Sequence, residues 1–182
     1  PNVPTQNSTQ DVNISYNDLL EFCSTMDGSC IEDVVAATIA SSLFWGLGRI
    51  SELLHPLQFP PLMVNCVKQT NNSSYRYQLE RPKRGRIDYA SQFISPVETT
   101  GWTRPRSWII LLKQYRKRDG KPLFTLSNDV RPTSKWFLSK FKNTISNKYS
   151  NLGECSFRSG GLTHMASLGF DLSVLRMLGR WK

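Results

Sequence analysis

Acidic residues are scarce in this chain. Lys and Arg number 23 against 14 Asp and Glu, a formal net charge of +9. A surplus of that size favours a polyanionic partner through charge neutralisation and counterion release, although a merely solubilising basic surface has the same composition. Histidine is rarer still, with two residues, and the four cysteines (Cys23, Cys30, Cys66 and Cys155) contain no C-x-x-C pair. A structural zinc site is therefore not expected, and no cofactor is assigned. So few scattered thiols fit a reduced intracellular compartment, the nucleus in a eukaryote, better than a secreted disulfide scaffold. Long apolar runs are also missing. The longest, Val34 to Leu47, is interrupted by Thr38, Ser41 and Ser42. It is too short for a membrane span and reads as a buried helix. No basic segment followed by an apolar core opens the chain, so no signal peptide is expected. The sequons at Asn7, Asn13, Asn71 and Asn72 are what chance supplies in an Asn- and Ser-rich chain.

What is present fits one soluble globular domain of 182 residues, 39% hydrophobic and 20% charged, with enough chain to bury a core. Residues 1–15 are polar and read as a linker or lead-in; residues 16–182 read as the folded domain. Ser15 or Asn17 caps a first expected helix running to about Met26, where Asp27-Gly28 breaks it. A second helix spans Ile31 to Leu47, with Glu32 and Asp33 at its positive end and Gly46 and Gly48 stopping it. A helical turn follows over Arg49–Leu54. Leu62–Gln69, Tyr75–Leu79 and Tyr89–Ser95 are β-prone and predict a small three-stranded antiparallel sheet, with turns at Asn71–Ser74 and at the basic Pro82–Arg86. Helices are then expected over Arg106–Arg118, Thr133–Lys148, Ser156–Leu168 and Leu172–Leu178, the last capped by Asp171. The expected class is α+β, mainly helical.

Three segments invite a chemical reading. In Gly46-Leu47-Gly48-Arg49-Ile50-Ser51-Glu52, an arginine follows glycines at the end of an apolar helix. Glu52, three residues on, shares its face and can hold the guanidinium; an ordinary surface ion pair has the same spacing. In Cys155-Ser156-Phe157-Arg158-Ser159-Gly160-Gly161, an arginine stands near a helix start beside two glycines. The glycines permit close backbone approach, either to a phosphate or to a neighbouring helix. In Leu178-Gly179-Arg180-Trp181-Lys182, Trp181 is either a core anchor or an N–H donor to an anionic oxygen.

Together these segments resemble the three conserved boxes of the tyrosine recombinases. Arg49 followed by Glu52 resembles the first box. Cys-Ser-Phe-Arg-Ser-Gly-Gly resembles the second, in which a histidine stands three residues before the arginine. Leu-Gly-Arg-Trp resembles the third, and Trp181 follows Arg158 by 23 residues, the family's usual separation. The wording is most similar to the recombinases of Crypton and DIRS-type mobile elements, and the resemblance covers Tyr16 to Lys182. It implies a recombinase catalytic core that breaks and rejoins DNA through a 3′-phosphotyrosyl link without a metal. Arg49 and Arg158 would clamp the non-bridging oxygens, with Trp181 adding a donor. A lysine on the turn between the second and third strands would protonate the leaving 5′-oxygen. Lys83 matches it best, with Arg84 and Arg86 beside it, although a hairpin-tip lysine touching phosphate non-specifically reads the same way.

Two departures stand against the pattern. Cys155 occupies the usual histidine position, and a thiol is a weak donor. His164 does not replace it, lying six residues along a helix from Arg158, and reads as a surface or boundary residue. The nucleophilic tyrosine of the family stands about nine residues after the third-box residue, beyond Lys182. Tyr149 does not match it, no nucleophile is assigned, and these residues are not expected to cleave DNA in cis. The resemblance thus leaves two readings: a mobile-element recombinase, or a domesticated or decayed one that holds DNA without cutting it. Both imply double-stranded DNA as partner and no membrane. The first also implies a homotetramer on paired sites. Trp102, Arg104, Arg106, Lys113, Lys117, Lys135, Lys140 and Lys142 are candidates for the DNA-facing surface.

Overall fold

The computed structural model describes residues 12–69, 75–79, 90–94, 105–115, 122–146, 148–149 and 151–181. Among these the protein is mainly helical, with a small antiparallel sheet. Its helices are α1 (Tyr16–Ser24), α2 (Ile31–Trp45), α3 (Ile50–Leu53), α4 (Pro105–Tyr115), α5 (Ser134–Thr144), α6 (Ser156–Ser167) and α7 (Leu172–Gly179).

α2 is the centre. Every residue from Val34 to Trp45 is buried, because the helix is apolar on all sides and is surrounded by α1, α4, α5 and α6. Its hydroxyls find partners inside. Thr38 donates to the Val34 carbonyl and Ser41 to that of Ala37, each at 2.6 Å. The Ser42 hydroxyl meets the Tyr77 hydroxyl at 2.9 Å, tying the helix to the sheet.

In the sheet, β2 (Tyr75–Leu79) lies between β1 (Val67–Gln69) and β3 (Ala90–Ile94), antiparallel to both. The expected first strand is shortened. Leu62 and Met63 instead meet the segment after α4: Leu123 N–H donates to the Leu62 carbonyl at 2.7 Å, and Met63 bridges Pro122. A 3-10 turn over Val64–Cys66 then delivers the chain to β1.

Ser15 caps α1 and Asp171 caps α7, each accepting a backbone N–H. Ile14, on the lead-in side of the expected boundary, is wholly buried. Its N–H donates to the Ser156 carbonyl at 3.2 Å. α6 is clamped from two directions. Phe157 packs among Phe137 and Phe141 of α5, with ring centroids 5.2 and 4.7 Å away. On its other side, a β-carbon at Gly160 would stand 1.9 Å from the Ile14 carbonyl oxygen, and one at Gly161 would stand 2.0 Å from that of Phe44. The two glycines therefore serve backbone-to-backbone packing, the second of the two readings the sequence left open. No described helix is long and apolar enough to cross a membrane.

Candidate functional site

The turn that ends α2 aims the chain at Arg49. Its left-handed residue is Leu47, with φ +49°, while Gly46 has φ −93°. A leucine in that region costs roughly 1 kcal/mol. Burial of its side chain against α6 at Gly161 offsets the cost.

Arg49 is then extended, and the backbone enters α3. Its N–H donates to Glu52 Oε2 at 2.8 Å, and its Nη1 donates to Oε1 at 3.1 Å. The expected pair forms, but not on the surface, since Glu52 is only 4% exposed. Glu52 also accepts a hydrogen bond that the sequence reading missed: Arg180 Nη2 donates to Oε2 at 2.6 Å. Burial pushes the Glu52 carboxyl upward in pKa. The Arg180 charge and the Arg49 N–H outweigh it and hold the group below its ordinary value.

Arg158, in the first turn of α6, is 5% exposed. Its Nη2 donates to the Gly179 carbonyl at the end of α7, at 2.5 Å. The Trp181 ring lies over this guanidinium with its centroid 4.6 Å away, packed so closely on Gly179 that a β-carbon there would meet it at 2.3 Å. The contact shown for Trp181 is thus stacking. Burial lowers the Arg158 pKa, and the Arg49 charge lowers it further. That mutual repulsion, shared with Arg180, marks three arginines gathered around one carboxylate.

Two donors in this cluster are left over. Arg158 Nη1 and Arg180 Nη1 are buried and have no hydrogen-bond partner among the described residues. A buried N–H without a partner costs about 1–3 kcal/mol, and such groups are uncommon in folded proteins. Both nitrogens are free to donate to an acceptor oxygen, whether of water or of an anion.

The structure thus brings Arg49, Glu52, Arg158 and Trp181 together. Cys155 is exposed just before α6, and its side chain makes no capping hydrogen bond. Lys83, Arg84 and Arg86 lie outside the described residues, as do Trp102, Arg104 and Lys117. Of the candidate DNA-facing lysines, Lys140 is paired with Asp33 at 2.7 Å, so its charge is largely answered within the fold. Lys135 is exposed. His164 is half-buried, stacked on Tyr16 at 4.5 Å and edge-on to Trp45 at 5.6 Å. It is a boundary residue in an aromatic box. The Tyr149 hydroxyl donates to Asp18, which also holds Lys148 at 2.6 Å. Among the described residues, no group of three or more His, Cys, Asp or Glu is placed to hold a metal ion.

Arg180 escaped the sequence reading because its partner is 128 residues away. The available signal was a basic residue between Gly179 and Trp181, where a helix stop turns side chains back on the core. No protein-family model matches the chain, and no curated protein matches it in sequence. What the cluster can do follows from its own groups: it offers guanidinium donors, two of them unspent, to an anionic oxygen.

Proposed function

We propose that the arginine cluster binds a DNA phosphodiester and that the chain is the catalytic core of a tyrosine recombinase. The observation that carries this reading is the pair of buried, partnerless guanidinium nitrogens, Arg158 Nη1 and Arg180 Nη1, beside Arg49. The net charge of +9 supports a polyanionic ligand. The order and spacing of the three boxes support the recombinase reading of that ligand.

In this reading a tyrosine hydroxyl attacks the phosphorus, the 5′-oxygen leaves, and a 3′-phosphotyrosyl bond forms. No tyrosine of this sequence is assigned as that nucleophile, and Tyr149 is engaged with Asp18. Arg49 and Arg158 hold the non-bridging oxygens, where negative charge rises in the transition state. Glu52 and the Gly179 carbonyl hold those arginines in place. Trp181 walls the site over Arg158. Lys83 delivers the proton to the leaving oxygen. No step draws on a metal.

Cys155 favours a second reading, a recombinase-derived module that grips DNA without cutting it. Its exposed thiol, in the place of an imidazole, supplies a weak donor at best.

A nicked duplex that traps covalent adducts separates the two when offered to the full-length protein. Adducts that disappear in Arg49→Ala and Arg158→Lys variants support the enzyme. Duplex binding that weakens in those variants, with no adduct in the parent protein, supports the binding module. Unchanged duplex binding together with unchanged adduct formation in both variants sinks the placement of the site. Loss of one transition-state donor costs on the order of 3 kcal/mol, a hundredfold or more in cleavage rate.

A further inference from the structure

The cluster holds one cation more than the clamp just described uses. Arg180 leaves α7 at a left-handed residue, φ +54°, with its own N–H bonded back to the carbonyls of Arg176 and Met177. That turn sends the side chain inward to Glu52, and its head is anchored by one arm only. Nη2 is held on Glu52 Oε2, while Nη1 is buried and unpartnered. Arg158 has the same division of labour, with Nη2 on the Gly179 carbonyl and Nη1 unpartnered. One arm fixes each group, and the other is unspent.

Charge bears on what the unspent arms are for. Arg49, Arg158 and Arg180 against Glu52 leave the cluster with a surplus of about two positive charges at neutral pH. A phosphodiester in its ground state carries one negative charge. The five-coordinate species formed by attack on it carries two. A site with the larger surplus favours the second over the first, which is the condition for lowering a barrier and not merely for binding.

We propose that Arg180 is a third anion-contacting arginine, which shares Glu52 with Arg49 and donates through Nη1 to the same phosphoryl group that Arg158 contacts. This rests on the reading of the cluster as a phosphate site. Trp181, stacked over Arg158, shields that contact from water and makes none of its own to the anion. The arrangement is economical in parts: a single buried carboxylate positions two arginines that lie far apart in the sequence.

The test is duplex DNA binding by the full chain, measured by fluorescence anisotropy over a range of salt, for the parent protein and for Arg180→Gln, Arg180→Lys and Arg49→Gln. Thermal melting of each variant checks its fold. Arg180→Gln is expected to weaken binding roughly tenfold and to lower the slope of log affinity against log salt by about one. Arg180→Lys keeps the slope but loses several-fold in affinity, because one ammonium cannot serve Glu52 and the anion as a forked guanidinium does. A purely structural Arg180 would leave the slope where it was. If Arg49→Gln weakens binding and Arg180→Gln leaves affinity and slope at parent values, the third contact is overturned and the phosphate site stands. If both leave binding unchanged, the phosphate reading itself falls. Should Arg180→Gln not fold, Arg180→Lys decides alone, and parent affinity in that variant overturns the proposal.

Discussion

At the scale of single residues, the segment from Arg158 to Gly161 carries two jobs that its sequence does not separate. Arg158 belongs to the arginine cluster, while Gly160 and Gly161, two and three residues on, belong to the core. Alanine at Gly160 would put a methyl 1.9 Å from a backbone oxygen that cannot rotate away. We expect Gly160→Ala to destabilise the fold by about 3 kcal/mol, the upper end of what overpacking costs, visible as a lowered urea midpoint. A midpoint equal to the parent's would mean that α6 can slide away from Ile14. Legibility at this scale depended on distance along the chain. Glu52 was found because a spacing of three places it beside Arg49. Arg180 was missed because only tertiary folding carries it to the same carboxylate. For Trp181 a core anchor and a donor are both open in the sequence, and the contact shown is a ring stacked on Arg158. The indole has both an apolar face and a donor, and sequence does not say which one is used.

At the scale of elements, helices with clear caps were legible. Ser15 and Asp171 announce α1 and α7 through side chains that accept backbone N–H groups. The start of the sheet was not. Leu62 and Met63 alternate as a strand should, but their backbone is taken up by Pro122 and Leu123, residues remote in sequence. The loop after α3 shows the same dependence on distant groups. Arg131 Nη1 donates to the Phe59 carbonyl at 2.9 Å, and its Nη2 donates to the His55 carbonyl at 3.1 Å. One side chain thus replaces the regular pairing that this loop lacks. Arg131→Ala should cost about 2 kcal/mol, the usual worth of hydrogen bonds to a charged donor. It should also speed amide exchange across residues 55–62 while leaving α2 protected. Uniform exchange across both segments would show that the loop and core open together.

At the scale of the whole molecule, charge and burial predict how the fold responds to acid. Burial lowers the His164 pKa below its ordinary 6.5, so the unfolded chain binds that proton first. Its contribution is intact above about pH 6.5 and declines as pH falls towards the folded-state value. Burial raises the pKa of Asp18, but Lys148, Ser15 and Tyr149 outweigh it and hold the carboxyl below its ordinary 3.8. Glu52 sits below its ordinary 4.5. Those two contributions are present above their ordinary values and are lost at lower pH. The melting temperature should therefore fall in two stages, the first beginning near pH 6.5 and the second below about pH 4.5. His164→Phe should abolish the first stage and leave the second. A single acid transition unaffected by that substitution would place the titrating groups elsewhere. The mainly helical class and the small antiparallel sheet were readable from apolar periodicity. How the arginines share carboxylate and carbonyl anchors was not, because it depends on how α3, α6 and α7 meet.

The bond between Arg180 and Glu52 joins residues 128 apart. It also fixes an order of events during synthesis. A nascent chain that stops short of Gly179 can pack α2 against α4 and α6, yet it has neither the carbonyl that anchors Arg158 nor the second cation that Glu52 holds. The gathering of three guanidiniums around Glu52 is therefore completed only once residue 180 has been made, after every residue of the α2–α4 packing.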